Sequence, residues 1–136
     1  VKNNGEGSIQ YNLGALIEKG LVSDFNMFII GEIKDGDAAA MLLNASFTGA
    51  QAVATLHGPN EISGIEKAAD YICQGSRYQY KEALKYLRTF ETIIFMKKRK
   101  LGGIATIQGW DAGKEELIIK SVQIRPKRLK DYLIAG

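Results

Sequence analysis

The sequence predicts an α/β fold in which parallel strands alternate with helices and the chain closes on an antiparallel β-meander. Three observations predict it. Residues 25–30 form an apolar run of strand length that leaves the sheet at Gly31-Glu32. A helix of small residues over 37–48 separates that run from a second, 51–56, which ends on His57, the only histidine of the chain. After residue 90, three β-rich runs follow one another across turns short enough for hairpins.

Taken in order, residues 1–7 are polar and glycine-rich, and Ser8 is placed to cap a helix whose apolar positions Leu13, Leu16, Ile17 and Leu21 have helical spacing. Gly20 or Ser23-Asp24 ends it. After the first strand, Lys34-Asp35-Gly36 leads into a helix with Asp37 in its first turn, where a carboxylate suits the positive end of the helix dipole. Ala38, Met41, Leu42 and Ala45 make its apolar face, and Ala39 and Ala40 keep the other face small enough for close packing. Thr48-Gly49 ends it, the glycine supplying the left-handed conformation after the cap. Gly58-Pro59-Asn60 is a turn, and Asn60 caps a helix with Ile62, Ile65, Ala69 and Ile72 on one side. Gly75 stops that helix. Ser76 and Gln79 are spaced as a capping box for a fourth helix with Tyr80, Ala83, Leu84 and Leu87 inward. The β-rich runs are 90–98, 104–110 and 116–124, with turns at 99–103 and 111–115. The tail 125–136 is basic, and its spacing permits a short helix over 129–134.

Composition narrows the function classes. A chain of 136 residues with 46% hydrophobic and 24% charged residues has ordinary globular content and the size of one domain at most. No stretch is apolar enough to span a membrane, and 1–4 has no apolar signal core, so a cytoplasmic protein is expected. The single cysteine, Cys73, rules out an internal disulfide and a cysteine-based zinc site. A net charge of +3 is too mild to argue for nucleic acid. The basic cluster Lys97-Lys98-Arg99-Lys100 reads as a solvated hairpin turn, with Lys97 and Lys98 on opposite faces. Trp110 and the tyrosines Tyr71, Tyr78, Tyr80 and Tyr86 read as core or half-buried residues.

Two residues stand out for chemistry. Open α/β sheets bind ligands in the crevice outside the carboxyl ends of their strands. Glu32 and His57 both close a strand there. If the two strands are parallel neighbours, this acid and imidazole lie side by side on one rim. Taken alone, an acid in that place also serves as a helix cap or an ion-pair partner, and a histidine as a satisfied strand-end group.

The spacing carries a family resemblance. Ile29-Ile30-Gly31-Glu32-Ile33-Lys34-Asp35, then Thr48-Gly49, then Thr55-Leu56-His57 resembles the Walker B and histidine-box region of the secretion ATPase superfamily. Those motors drive type II secretion, type IV pili, tight-adherence pili and type IV secretion or conjugation. Weaker similarity extends from about Gly5 to about Ile124. The resemblance implies a partial RecA-like core over 1–124, the carboxyl-terminal half of an ATPase domain. It implies Glu32 as the base that aligns a water and helps to place Mg, and His57 as a group on the γ-phosphate side. Gly31, Lys34 and Thr55 would flank the nucleotide. Lys34 replaces the arginine usual in the family, which keeps the charge and loses the planar fork. Gly58-Pro59 departs from the residues that usually follow the histidine, and Ser23-Asp24-Phe25-Asn26 lacks the arginines usual before the acidic strand.

A phosphate loop needs Gly-x-x-x-x-Gly-Lys-Ser/Thr, and none occurs; Gly113-Lys114 is followed by Glu115. The expectation is therefore a truncated motor domain whose phosphate loop lies upstream, with a naturally loop-free relative as the alternative. The whole protein would be a hexameric MgATP hydrolase acting on an inner-membrane platform, peripheral to the inner face of the membrane. The 136-residue chain itself is expected to be inactive, and no nucleic acid partner is expected. The alternative function is a non-catalytic RecA-like interaction or regulatory module of the same apparatus.

Overall fold

The computed structural model describes residues 13–123 and is mixed α/β, with a small parallel sheet and a three-stranded antiparallel sheet. The element order is α1 (Leu13–Val22), β1 (Met27–Ile30), α2 (Gly36–Phe47), β2 (Gln51–Ala54), α3 (Glu61–Gly75), α4 (Tyr80–Tyr86), a 3-10 turn (Leu87–Thr89), β3 (Thr92–Lys97), β4 (Lys100–Asp111) and β5 (Glu116–Gln123). Ser8, Ile124 and the tail 125–136 lie outside the described residues.

The parallel pair is joined by α2 as expected, in the register Met27↔Gln51 to Ile30↔Ala54. Asp35 caps α2, its Oδ1 accepting from the Ala38 N–H at 2.8 Å. Gly49, at φ +86°, follows the Thr48 cap and donates to the Ser46 carbonyl at 3.2 Å. The helix is buried nearly all round, through Ala38, Ala39, Ala40, Leu42, Leu43 and Ala45. Its small residues let it pack between neighbours. At its start, a Cβ on Gly75 would stand 1.9 Å from the Gly36 carbonyl oxygen, so α2 and α3 cross backbone to backbone there. Gly75 is thus a contact as well as a helix end. Gly20 does similar work in α1: a Cβ there would come within 2.7 Å of the Phe28 ring, and the helix runs through it to Val22.

The core gathers Ile17 of α1, Phe28 and Ile30 of β1, Leu42 and Leu43 of α2, Ile65 and Ile72 of α3, and Leu87. Asn60 caps α3 as expected, its Oδ1 accepting from the Ser63 N–H at 2.9 Å. The capping box of α4 is displaced by three residues from the expected one. Glu82 Oε2 accepts from the Gln79 N–H at 2.9 Å, while the Ser76 hydroxyl instead donates back to the Ile72 carbonyl at 2.5 Å and closes α3. Tyr80, expected inward, is 40% exposed, and Leu16 and Ile62, expected among the apolar positions of their helices, are 47% and 44% exposed.

The meander has strand order β3-β4-β5. Its first turn is tighter than the expected 99–103 loop. Lys98 and Arg99 alone make it, at φ +49° and +62°, the backbone pattern of a type I′ hairpin turn. Lys98 is therefore a turn residue and does not oppose Lys97 across the strand. Gly102 and Gly103 fall inside β4, where the register shifts by a bulge opposite Phe95 and Met96. Gly103 is where the carboxylate of the buried Glu61 packs; a Cβ there would stand 2.1 Å from Glu61 Oε1.

Candidate functional site

Parallel pairing continues past the ends of β1 and β2. The Thr55 N–H donates to the Ile30 carbonyl at 3.3 Å, and the Ile33 N–H donates to the Thr55 carbonyl at 2.9 Å. The Thr55 hydroxyl donates to the Gly31 carbonyl. Thr55 thus bridges Ile30 and Ile33, three residues apart where a regular parallel ladder spans two, so the chain runs beside β2 with one extra residue and a bend at Gly31. Ile33 turns inward and is 7% exposed. The extra residue returns Ile33 to the buried side that Ile30 occupies and leaves the partly exposed Glu32 on the rim.

There Glu32 meets both expected partners. Its Oε1 lies 3.2 Å from His57 Nε2, and its Oε2 lies 3.2 Å from Lys34 Nζ. The carboxylate is the most enclosed of the three, at 30% side-chain exposure against 73% for Lys34 and 86% for His57. All five residues singled out in the sequence, Gly31, Glu32, Lys34, Thr55 and His57, thus converge on one strand-tip rim.

A sixth residue was not visible in the motif. Lys67, on α3, donates from Nζ to the His57 carbonyl at 2.9 Å, and its ammonium lies 5.6 Å from the centre of the Tyr71 ring. It tethers the backbone that carries the imidazole. Only the expected packing of α3 beside the second strand hints at it, because the spacing from His57 to Lys67 matches no motif. Asp35, in the segment that leads into α2, caps that helix.

The arrangement presents one carboxylate held between an imidazole and an ammonium on an open edge. Such a group accepts hydrogen bonds on its remaining lone pairs, orients a water and takes up a proton. Among the described residues no group of three His, Cys, Asp or Glu side chains is placed to hold a metal ion. Beside the carboxylate the backbone is open: apart from its two chain neighbours, no described residue comes within 4 Å of where a Cβ on Gly31 would stand. An open cavity of about 540 Å³ between α1, α2 and the α3–α4 connection is lined by Glu18, Asp37, Asn44 and Tyr78 and includes none of the rim residues.

Among the described residues no helix is long and apolar enough to cross a membrane. No model of a known protein family matches the chain, and no curated protein matches it.

Proposed function

We propose that this chain is the distal half of a RecA-like ATPase core from a secretion, pilus or conjugation motor, and that the Glu32–His57 rim is its hydrolytic edge. The observation that carries the reading is the 3.2 Å contact between two side chains that sit 25 residues apart and project from neighbouring parallel strand tips. That edge is where α/β sheets place ligand chemistry.

The rim fits one flank of a Mg-nucleotide. A carboxylate with free lone pairs, an imidazole and an ammonium suit the γ-phosphate side, and the open space beside Gly31 admits a close-lying group. Bound Mg would neutralise charge on the phosphates, with Glu32 reaching it through water. Glu32 then orients the attacking water and accepts its proton. Lys34 holds the second carboxylate oxygen, so that the first faces His57 and the rim. The Thr55 hydroxyl fixes the Gly31 carbonyl and with it the direction of the Glu32 side chain. The cradle for the phosphates is supplied by a loop outside these residues. In this reading the whole protein works as a hexameric ring against an inner-membrane platform.

The test uses the full-length protein. Glu32→Gln is expected to lower ATP turnover by about 100-fold or more while leaving nucleotide binding and ring assembly in place. The reading fails if the isolated 136-residue chain turns over ATP in a Glu32-dependent way, or if the codons upstream of Val1 carry no phosphate-loop motif within about one hundred residues.

A second reading has one observation of its own: both Glu32 oxygens are engaged, one by Lys34 and one by His57. A carboxylate so occupied latches two strand tips in a non-catalytic interaction module. Full-length Glu32→Gln protein with unchanged turnover would favour it.

A further inference from the structure

The outer face of the meander carries a contiguous apolar surface bordered by cations. Register places Ile94, Ile104 and Val122 in one row across the three strands, with Met96 opposite Leu101 in the row nearer the turn. Ile94, Met96 and Val122 are 61%, 55% and 53% exposed, and Ile104 and Leu101 are partly so. The opposite face supplies Ile93, Leu117 and Ile119 to the core, so this sheet buries one side and leaves the other without a cover among the described residues. Beyond Met96 stand Lys97, Lys98, Arg99 and Lys100, all exposed, and Lys120 lies on the same outer face. The acid of this face, Glu116, is at the far end, paired with Lys114 at 4.0 Å. β5 ends opposite Gly103, at the basic end.

The turn itself is unusual for its chemistry. Lys98 and Arg99 both hold positive φ in a two-residue loop where Asn-Gly would be free of strain. Both side chains are exposed, at the end of the sheet where Met96 pairs with Leu101.

From these observations we infer that the basic end of the meander docks on an anionic lipid surface, with Ile94, Met96 and Val122 entering the headgroup boundary and the turn cations meeting lipid phosphates. Apolar side chains bordered by lysine and arginine match that boundary on both counts. A second copy of the chain is the poorer occupant, because Glu116 offers little counter-charge to the turn cations and is already paired with Lys114. Nucleic acid is poorer too: the phosphates would be met, and the apolar row would find no partner. The inference rests on the meander alone and stands or falls separately from the ATPase reading.

The experiment is co-sedimentation of the 136-residue chain with phosphatidylcholine vesicles and with vesicles that also contain phosphatidylglycerol. Binding is expected only to the second kind, falling as salt rises. Lys98→Asn with Arg99→Gly removes two charges while giving the turn its preferred residues, so folding is retained; partitioning should fall by about tenfold or more. Met96→Ser should weaken partitioning several-fold without changing its salt dependence. The inference is overturned if the chain ignores both vesicles, binds them equally, or keeps full binding in both variants. It is equally overturned if Met96→Ser binds normally while duplex DNA competes the chain off the vesicles, or if the chain dimerises through this face.

Discussion

At Glu32 stability and chemistry are separable. Its partners Lys34 and His57 are mostly exposed, and ion pairs of that kind contribute about 0–1 kcal/mol. Glu32→Gln is therefore expected to shift urea unfolding of the isolated chain by less than about 1 kcal/mol. Ile33→Ala, one position along and turned into the core, should cost about 2–5 kcal/mol. If Glu32→Gln unfolds the chain as readily as Ile33→Ala, the carboxylate is a structural latch. Cys73 gives a second prediction at this scale. Burial first, and then the carboxylates of Asp70 and Glu82, raise its thiol above the ordinary range. The folded protein thus holds the thiol proton more tightly than the unfolded chain does. That contribution to stability is intact below the ordinary thiol range and lost as pH climbs through the higher folded value. At mildly alkaline pH, iodoacetamide should alkylate Cys73 several-fold more slowly in the native protein than in urea, because the thiolate is the nucleophile. Equal rates would contradict it.

At the scale of elements, signals between near neighbours were readable and tertiary ones were not. Asn60, Gly49 and the helix-opening Asp35 act within four residues of themselves, so composition and position reveal them. The 98–99 turn escaped because neither residue is one that positive φ favours, and the glycines beyond it suggested a longer loop. Gly75 could be read as a helix end, but its contact with Gly36 depends on how two helices cross. Each missed feature yields a test. Gly75→Ala would drive a methyl into the Gly36 carbonyl, and a clash between backbones that cannot move apart should cost about 3 kcal/mol or more, seen as a large fall in Tm. Lys98→Asn with Arg99→Gly should instead raise stability by about 1–2 kcal/mol, by removing left-handed strain from two residues with side chains. A neutral or lower Tm for that double variant would mean that the turn is not strained.

At the scale of the whole molecule, the two sheets differ in how they are completed. The rim was legible because a strand, a short helix and a strand in sequence nearly dictate a parallel pair, and parallel pairing alone sets Glu32 beside His57. What lies against that pair was not legible, since covering a sheet depends on distant parts of the chain. The inner face of β1 buries Phe28 and Ile30, whereas Met27 and Ile29 point the other way and are 48% and 74% exposed, next to Val53 at 52%. Parallel sheets ordinarily have both faces covered, and two strands are few for a sheet of this type. On the proposed half-domain reading, further strands and a helix would cover this face. The two faces should therefore answer mutation oppositely in the isolated chain. Phe28→Ala is expected to cost about 3–5 kcal/mol, while Ile29→Thr should change stability by less than about 0.5 kcal/mol and reduce concentration-dependent light scattering. In the full-length protein Ile29→Thr should become as damaging as a core substitution. If it is harmless there as well, nothing packs on that face and the half-domain interpretation loses its structural basis.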